Sequence, residues 1–592
     1  MRHTLFLLSA LCCLALAVRA GDRRIVLDGV PLSADTHAII LPDAPTPTEA
    51  FAARELQSFL AQITGQQLAV ETEGASSRPY GLYLGRSAHS DDSLGVEGIA
   101  LACREGNLKL AGGKRGVLYA VFTFLEDYLG CHWFTPDCSV IPDHGETGIP
   151  AFSYTYIPPL EFRDIDFRET RNFEFGIRNK LNGLYLGEVA NEENGGCHTY
   201  TPAICHTFWQ LVPVEQYGAE HPEYYAERDG KRVTGRTNQE NQAVTQLCLT
   251  NPDVLRIATE TVRQWMRNSS SDAFISVSQN DNQRYCTCAS CTALAEQEES
   301  QAGPLLHFVN AIAREMAKEF PGRQIDTLAY QYTRKPPKFV RPEPNVMIRL
   351  CSIECCFLHP LEDCRQESGS RTSFQADLVE WSKQTKQLYV WDYVINYAHS
   401  IAPFPNLHVL KPNINFLVAN HVRGIYEEGN YFSGVGDMEE LRSYVMAKLL
   451  WDPQYDDKRA INEFTDAYYG PAAPAIRNYL ALLHDSMAAD GDQIHMHIFD
   501  QPGTYLRHPK VLNQANDILA VAEALVADQP DYLRRVQVAR LPIIYVRRLL
   551  NVSPETSQAD LDFIIRVGRE NGLDRVSEGL AFEDWIANQQ KN

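Results

Sequence analysis

"QLYVWDYV", residues 387–394, sets Asp392 in the middle of a run of Leu, Val, Tyr and Trp. Such a short apolar run reads as a strand of a parallel sheet covered on both faces. An acid inside it then needs a partner or a task. Similar runs occur on either side: "LEFRDID" (160–166), "NGLYLG" (182–187), "VTQLCLT" (244–250), "AFISVSQ" (273–279), "IDTLAYQY" (325–332), "NVMIRLCSI" (345–353) and "VRGIYEE" (422–428). Amphipathic stretches lie between several of them, including 251–268, 303–320, 374–386 and 407–421. About eight strands, each followed by a helix or a long loop, predict an α/β fold of the (β/α)8 TIM-barrel type over residues 151–436.

The flanks read differently. Residues 1–20 have an early charge, an apolar run and a small-residue exit, the pattern of a secretory signal peptide, so the protein is expected to be secreted or periplasmic. Residues 21–150 read as a small α/β domain, with "TEAFAARELQSFLAQITG" as a helix stopped by Gly65. Residues 437–592 read as a helical region. No later run is apolar enough for membrane insertion. A net charge of −21 argues against nucleic acid as a partner. Nothing in the sequence sets the oligomeric state.

In a barrel of this type the active site lies at the carboxyl ends of the strands. The acids there are Asp281, Glu354, Asp392 and the pair Glu427-Glu428, of which Glu427 is preferred. Carboxylates gathered at one mouth suit glycosidic cleavage, where one must carry a proton and another stay ionised. Each has a plainer reading: Asp281 as a turn residue, Glu354 as the partner of Arg349 or another barrel arginine, and the glutamate pair as a solvated turn before Gly429-Asn430. Trp391, Tyr393, Tyr330 and Tyr332 are candidate sugar platforms. The long loop at 190–243 adds His198, His206 and Trp209, and loops of that length are commonly functional.

Fifteen cysteines include Cys12 and Cys13 of the leading segment. Cys286, Cys288 and Cys291 offer three thiolates, one short of a closed zinc site, for which Cys248 could be the fourth. Disulfides pinning this loop are the preferred reading, with Cys355, Cys356 and Cys364 doing the same further on. Metal-free catalysis without a cofactor is expected.

"SQNDNQRYCTCASC", "DTLAYQYT", "RLCSIECCFLHPL", "VWDYV" and "GIYEEGNY" with "YVMAKLLWDP" together resemble the secreted bacterial family described as domain of unknown function 4838, which includes glycoside hydrolase family 163. The amino-terminal domain is similar to the non-catalytic one that precedes α-glucuronidase and hexosaminidase barrels. The resemblance implies a β-N-acetylglucosaminidase acting on a glycan substrate, with the substrate's acetamido oxygen as nucleophile. It also implies that the polar pair after the fourth strand, here Asn280-Asp281, does this work. An acid pair is usual there, so Glu354 or Glu427 would be the proton donor, and double displacement by Asp281 and Asp392 stays open. The alternatives are an exo-acting uronic-acid glycosidase, for which Arg178, Arg349 or Arg423 would meet the carboxylate, and a glycan-binding protein without turnover.

Overall fold

The computed structural model describes residues 21–88, 92–183, 192–235, 245–364 and 373–591. The predicted signal peptide lies outside them. The chain forms two compact units, one running to residue 132 with 140–156, the other comprising 133–139 and 157–592.

The first unit is built on a six-stranded sheet in the order Phe152–Tyr156, Ile99–Arg104, Asn107–Gly112, Tyr80–Leu84, His37–Leu41, Ala69–Thr72. Its long helix, Pro47–Thr64, begins where Thr46 and Glu49 satisfy each other's backbone N–H groups, and it ends at Gly65, whose φ of 68° is left-handed. That stop agrees with the sequence reading.

In the second unit seven strands form one parallel sheet, ordered Phe162–Asp166, Val422–Glu428, Leu388–Tyr393, Val346–Cys351, Ile325–Ala329, Phe274–Ser276, Tyr200–Thr201. The sheet curls, and its edges approach. The Asn182 N–H donates to the Arg163 carbonyl and the Asn182 carbonyl accepts from His198 N–H, while the Phe162 and Tyr200 rings lie 6.1 Å apart. Gly424 permits close approach, because a Cβ there would run into the Tyr389 ring and stand 2.8 Å from the Phe162 Cβ.

Most of "NGLYLG", one of the expected strands, lies outside the described residues. Another expected strand differs. "VTQLCLT" joins no sheet: Leu247 makes only an isolated antiparallel bridge to Tyr225, while the buried Gln246 amide turns to the loop after strand 274–276. The short strand 200–201, not read from the sequence, takes the edge. Its two residues are too few for a periodic signal.

The four predicted inter-strand helices are present as Pro252–Asn268, Ala302–Glu319, Phe374–Gln384 and Leu407–Ala419. From Glu439 onward the chain is mainly helical, and these helices share one apolar core with the sheet. Among the described residues no helix is long and apolar enough to cross a membrane.

Candidate active site

Strand alternation sorts the buried acids into two sets. On the concave face Asp326 and Arg349 are fully buried and paired at 3.1 Å, with the guanidinium 4.3 Å from the Tyr200 ring centre and 5.7 Å from that of Trp391. Trp391 in turn meets Tyr426 edge-on at 4.6 Å. Residues 389, 391 and 393 therefore share this face with 424, 426 and 428. Asp392 and Glu427 are paired across the same strands but point the other way.

Above the Arg349 layer, at the carboxyl ends of the strands, lies a cavity of about 340 Å³. Asp166, Asp281, Glu428 and Glu578 are its acids, and Tyr330, Trp391, Tyr393, Tyr397, Tyr426, Tyr431 and Phe499 its aromatic wall. The volume suits a sugar ring and its substituents.

Each acid is held differently. Asp281 Oδ1 accepts the Tyr330 hydroxyl at 3.1 Å, and that hydroxyl accepts from the Gln331 amide at 2.9 Å. Asp166 takes Arg171 at 2.8 Å on Oδ1 and the Tyr426 hydroxyl at 2.8 Å on Oδ2. Glu428 Oε2 accepts the Trp391 indole N–H at 2.6 Å. Burial pushes the Glu428 carboxyl up to about 8; the indole N–H opposes this, and the charges of Asp166, Glu578 and Asp281 add to it. Glu428 thus keeps its proton through neutral pH. Glu578 comes from the turn after the short strand Arg575–Ser577, and its N–H donates to the Tyr397 carbonyl. A region read as a helical cap therefore supplies one wall.

Of the residues singled out in the sequence, Asp281, His206, Tyr330, Trp391 and Tyr393 line this cavity. His206 has a left-handed φ of 56°, and its Nδ1–H donates to the Gln279 carbonyl at 2.8 Å. The others stand elsewhere. Glu354 is paired with the buried Arg334 at 3.1 Å, the plainer reading, though with a different arginine from Arg349. Asn280 is buried, accepting from the Trp209 N–H and donating to the Thr245 carbonyl, so it positions the loop instead of facing the cavity. Tyr332 is packed against Tyr285 at 5.0 Å. Asp392 takes the Ser352 hydroxyl. Its neighbour Glu427 has one carboxylate oxygen with no hydrogen bond.

Burial pushes Asp392 up to about 6 and, with the Asp392 charge beside it, raises Glu427 well above the usual carboxylate range. Folding thus favours the protonated pair. The stability this contributes is complete below the unfolded-state values and is lost as pH rises through the raised ones. Glu427→Gln removes one of the two titrating carboxyls and its charge beside Asp392 while keeping the side chain's size. Thermal melts at pH 5 and 8 should show the wild type's loss of Tm between them cut by about half in the variant.

The expected disulfides are not formed: none of the thirteen described cysteines is bonded to another. The reason is geometric, since Cys248 Sγ lies 3.7 Å from Cys288 Sγ and 4.0 Å from Cys291 Sγ, far beyond a bond of about 2.05 Å.

Of the cavity acids, Asp166 was not named from the sequence, and Glu428 was named but Glu427 preferred to it. Asp166 ends a strand that had been read correctly. Glu428 follows from parity, because Trp391 as a platform puts Tyr393, and its partner Glu428, on the same face.

No curated protein matches the chain. Among solved structures it is similar to a GH138 enzyme targeting pectin rhamnogalacturonan II, at 10% identity and a TM-score of 0.43, over 94% of this chain and 78% of that one. It is also similar to CpGH89 from Clostridium perfringens, solved with its substrate GlcNAc-alpha-1,4-galactose, at 11% identity and a TM-score of 0.43, over 88% of this chain and 64% of that one. The model of the family described as "Domain of unknown function (DUF4838)" matches residues 133–481, more than half of the sequence, and the chain belongs to that family.

Proposed function

We propose that this protein is an exported glycoside hydrolase that cleaves the bond at an N-acetylhexosamine, in the cavity at the carboxyl ends of the curled parallel sheet. The observation that carries the reading is one aromatic cavity at the strand ends holding both a carboxyl that keeps its proton, Glu428, and a second acid tied to a tyrosine, Asp281.

In this reading the sugar stacks on Trp391. Glu428 gives its proton to the glycosidic oxygen as the C1–O bond breaks, and the aglycone leaves as an alcohol. The acetamido carbonyl oxygen attacks C1 to form a cyclic oxazolinium, while Asp281 accepts the acetamido N–H and steadies its growing positive charge. Water then adds to C1, giving its proton back to Glu428, and the ring opens with retention. Among the described residues lining the cavity there is no Arg or Lys. Arg349 is committed to Asp326, Arg423 to Glu161 and Arg178 to Glu174, which weighs against a uronic acid in this subsite.

The test is hydrolysis of aryl β-N-acetylglucosaminides and complex N-glycans beside aryl glucuronides. Release of N-acetylhexosamine-linked product, inhibition by the 1,2-fused thiazoline of N-acetylglucosamine, and a loss of about 10²–10³-fold in kcat for Asp281→Asn are expected. Glucuronide cleavage alone would overturn the substrate reading. Glycan binding without any turnover would overturn the enzyme reading.

A further inference from the structure

We infer that Cys248, Cys286, Cys288 and Cys291 bind one zinc ion, which holds together the loops carrying Asp281. Their four sulfur atoms all lie within 4.8 Å of one another. A tetrahedron of thiolates around zinc at about 2.3 Å places its sulfurs about 3.8 Å apart. The 3.7 Å and 4.0 Å separations from Cys248 bracket that value.

The surroundings suit a metal thiolate better than a set of thiols. Four thiolates around a divalent ion leave a net negative charge, which needs donors nearby. Here the Glu227 N–H donates to Cys286 Sγ at 3.3 Å, the Arg232 guanidinium lies 3.8 Å from the same sulfur, and the Thr250 hydroxyl lies 3.2 Å from Cys291 Sγ. Cys288 caps the helix Ala289–Gln297 and Cys291 sits in its first turn, where the helix dipole favours thiolate. Soft ligands in a closed tetrahedron select zinc over hard cations.

The ion would act on the cavity from a distance. Two residues before Cys248, the Gln246 amide donates to the carbonyls of Asn280 and Asn282, on either side of Asp281, and accepts from Asn280 N–H. Tying Cys248 to Cys286 therefore closes a frame around Asp281.

A second cluster carries the same inference independently. Ligand atoms of Cys356, His359, Cys364 and His495 also lie within 4.8 Å of one another. Cys356 Sγ is 3.4 Å from His359 Nδ1, and Cys364 Sγ is 3.7 Å from His495 Nδ1. Two thiolates and two imidazoles are a common closed zinc set. This ion would join the loop after strand 346–351 to the segment bearing Ile498 and Phe499, both of which line the cavity.

The experiment measures metal in the full-length protein, produced with added zinc and desalted without chelator, by plasma mass spectrometry. Two zinc ions per chain are expected, with about one each in Cys291→Ser and in His359→Ala, and two in Glu428→Gln. Stripping the zinc should lower Tm by about 5–10 °C. Should Cys291→Ser fail to fold, the wild type treated with a mercurial should still release zinc to a chromogenic indicator, and cobalt replacement should give intense thiolate-to-metal absorption. Fewer than about 0.2 zinc per chain in the wild type, or peptide mapping that finds Cys286, Cys288 or Cys291 in disulfides, would overturn the first site. A single zinc indifferent to His359→Ala would overturn the second. Neither outcome depends on the glycosidase reading, because both are read without substrate.

Discussion

Glu428→Gln is expected to lower kcat on a poor leaving group by about 10²–10⁴-fold, with a small change in KM. The glutamine still accepts the Trp391 indole N–H but has no proton to give. Activated aryl leaving groups, which need little protonation, should retain much more activity. The same carboxyl sets the alkaline limb of the pH profile. With its value pushed up to about 8, the acid is protonated below that pH, and activity should fall as pH rises through it. Trp391→Phe removes the donor that favours the ionised form, so the limb should move to higher pH, the reverse of a merely structural effect. An alkaline limb unmoved in Trp391→Phe, with full kcat in Glu428→Gln, would assign the acid to another group.

Arg349→Met is expected to destabilise the protein by about 3–5 kcal/mol at pH 8, measured by denaturant unfolding, because it strands the buried Asp326 charge. Burial pushes Asp326 up to about 6 even with the Arg349 charge holding it down. Without that charge the carboxyl rises further, so its proton is favoured in the folded state. The stability carried by the protonated form is present at low pH and lost as pH rises, so the variant should be less impaired at pH 5 than at pH 8. Combining Arg349→Met with Asp326→Asn should recover more than half of the loss at pH 8. A substrate-binding arginine would behave otherwise, raising KM with little change in stability.

Much of the sheet was legible because parallel strands buried on both faces leave continuous apolar runs, and six of the seven observed strands coincide with such runs. The exception is Tyr200–Thr201, too short to leave a pattern. "VTQLCLT" shows the converse error: its apolar letters serve a loop, since Gln246 braces the Asp281 turn and Cys248 joins the thiol cluster. Asp281, His206, Tyr330, Trp391 and Tyr393 were named from chemistry and position, and all five line the cavity. Glu354 was not separable from its role as a counter-ion, because the arginine that claims it, Arg334, is twenty residues away and aligned only by folding.

The sequence by itself determined where six of the seven strands and the four helices between them form, since that depends on local periodicity and caps. It also placed acids and aromatics at strand ends, a consequence of chain direction in a parallel sheet. Only the tertiary structure decided that Glu428 and not Glu427 faces the cavity, that Glu578 reaches it, and that Cys248 completes the thiol set. Those outcomes depend on the facing of one strand against its neighbours and on contacts between segments far apart in the chain, and burial, which sets the proton on Glu428, exists only once those contacts form.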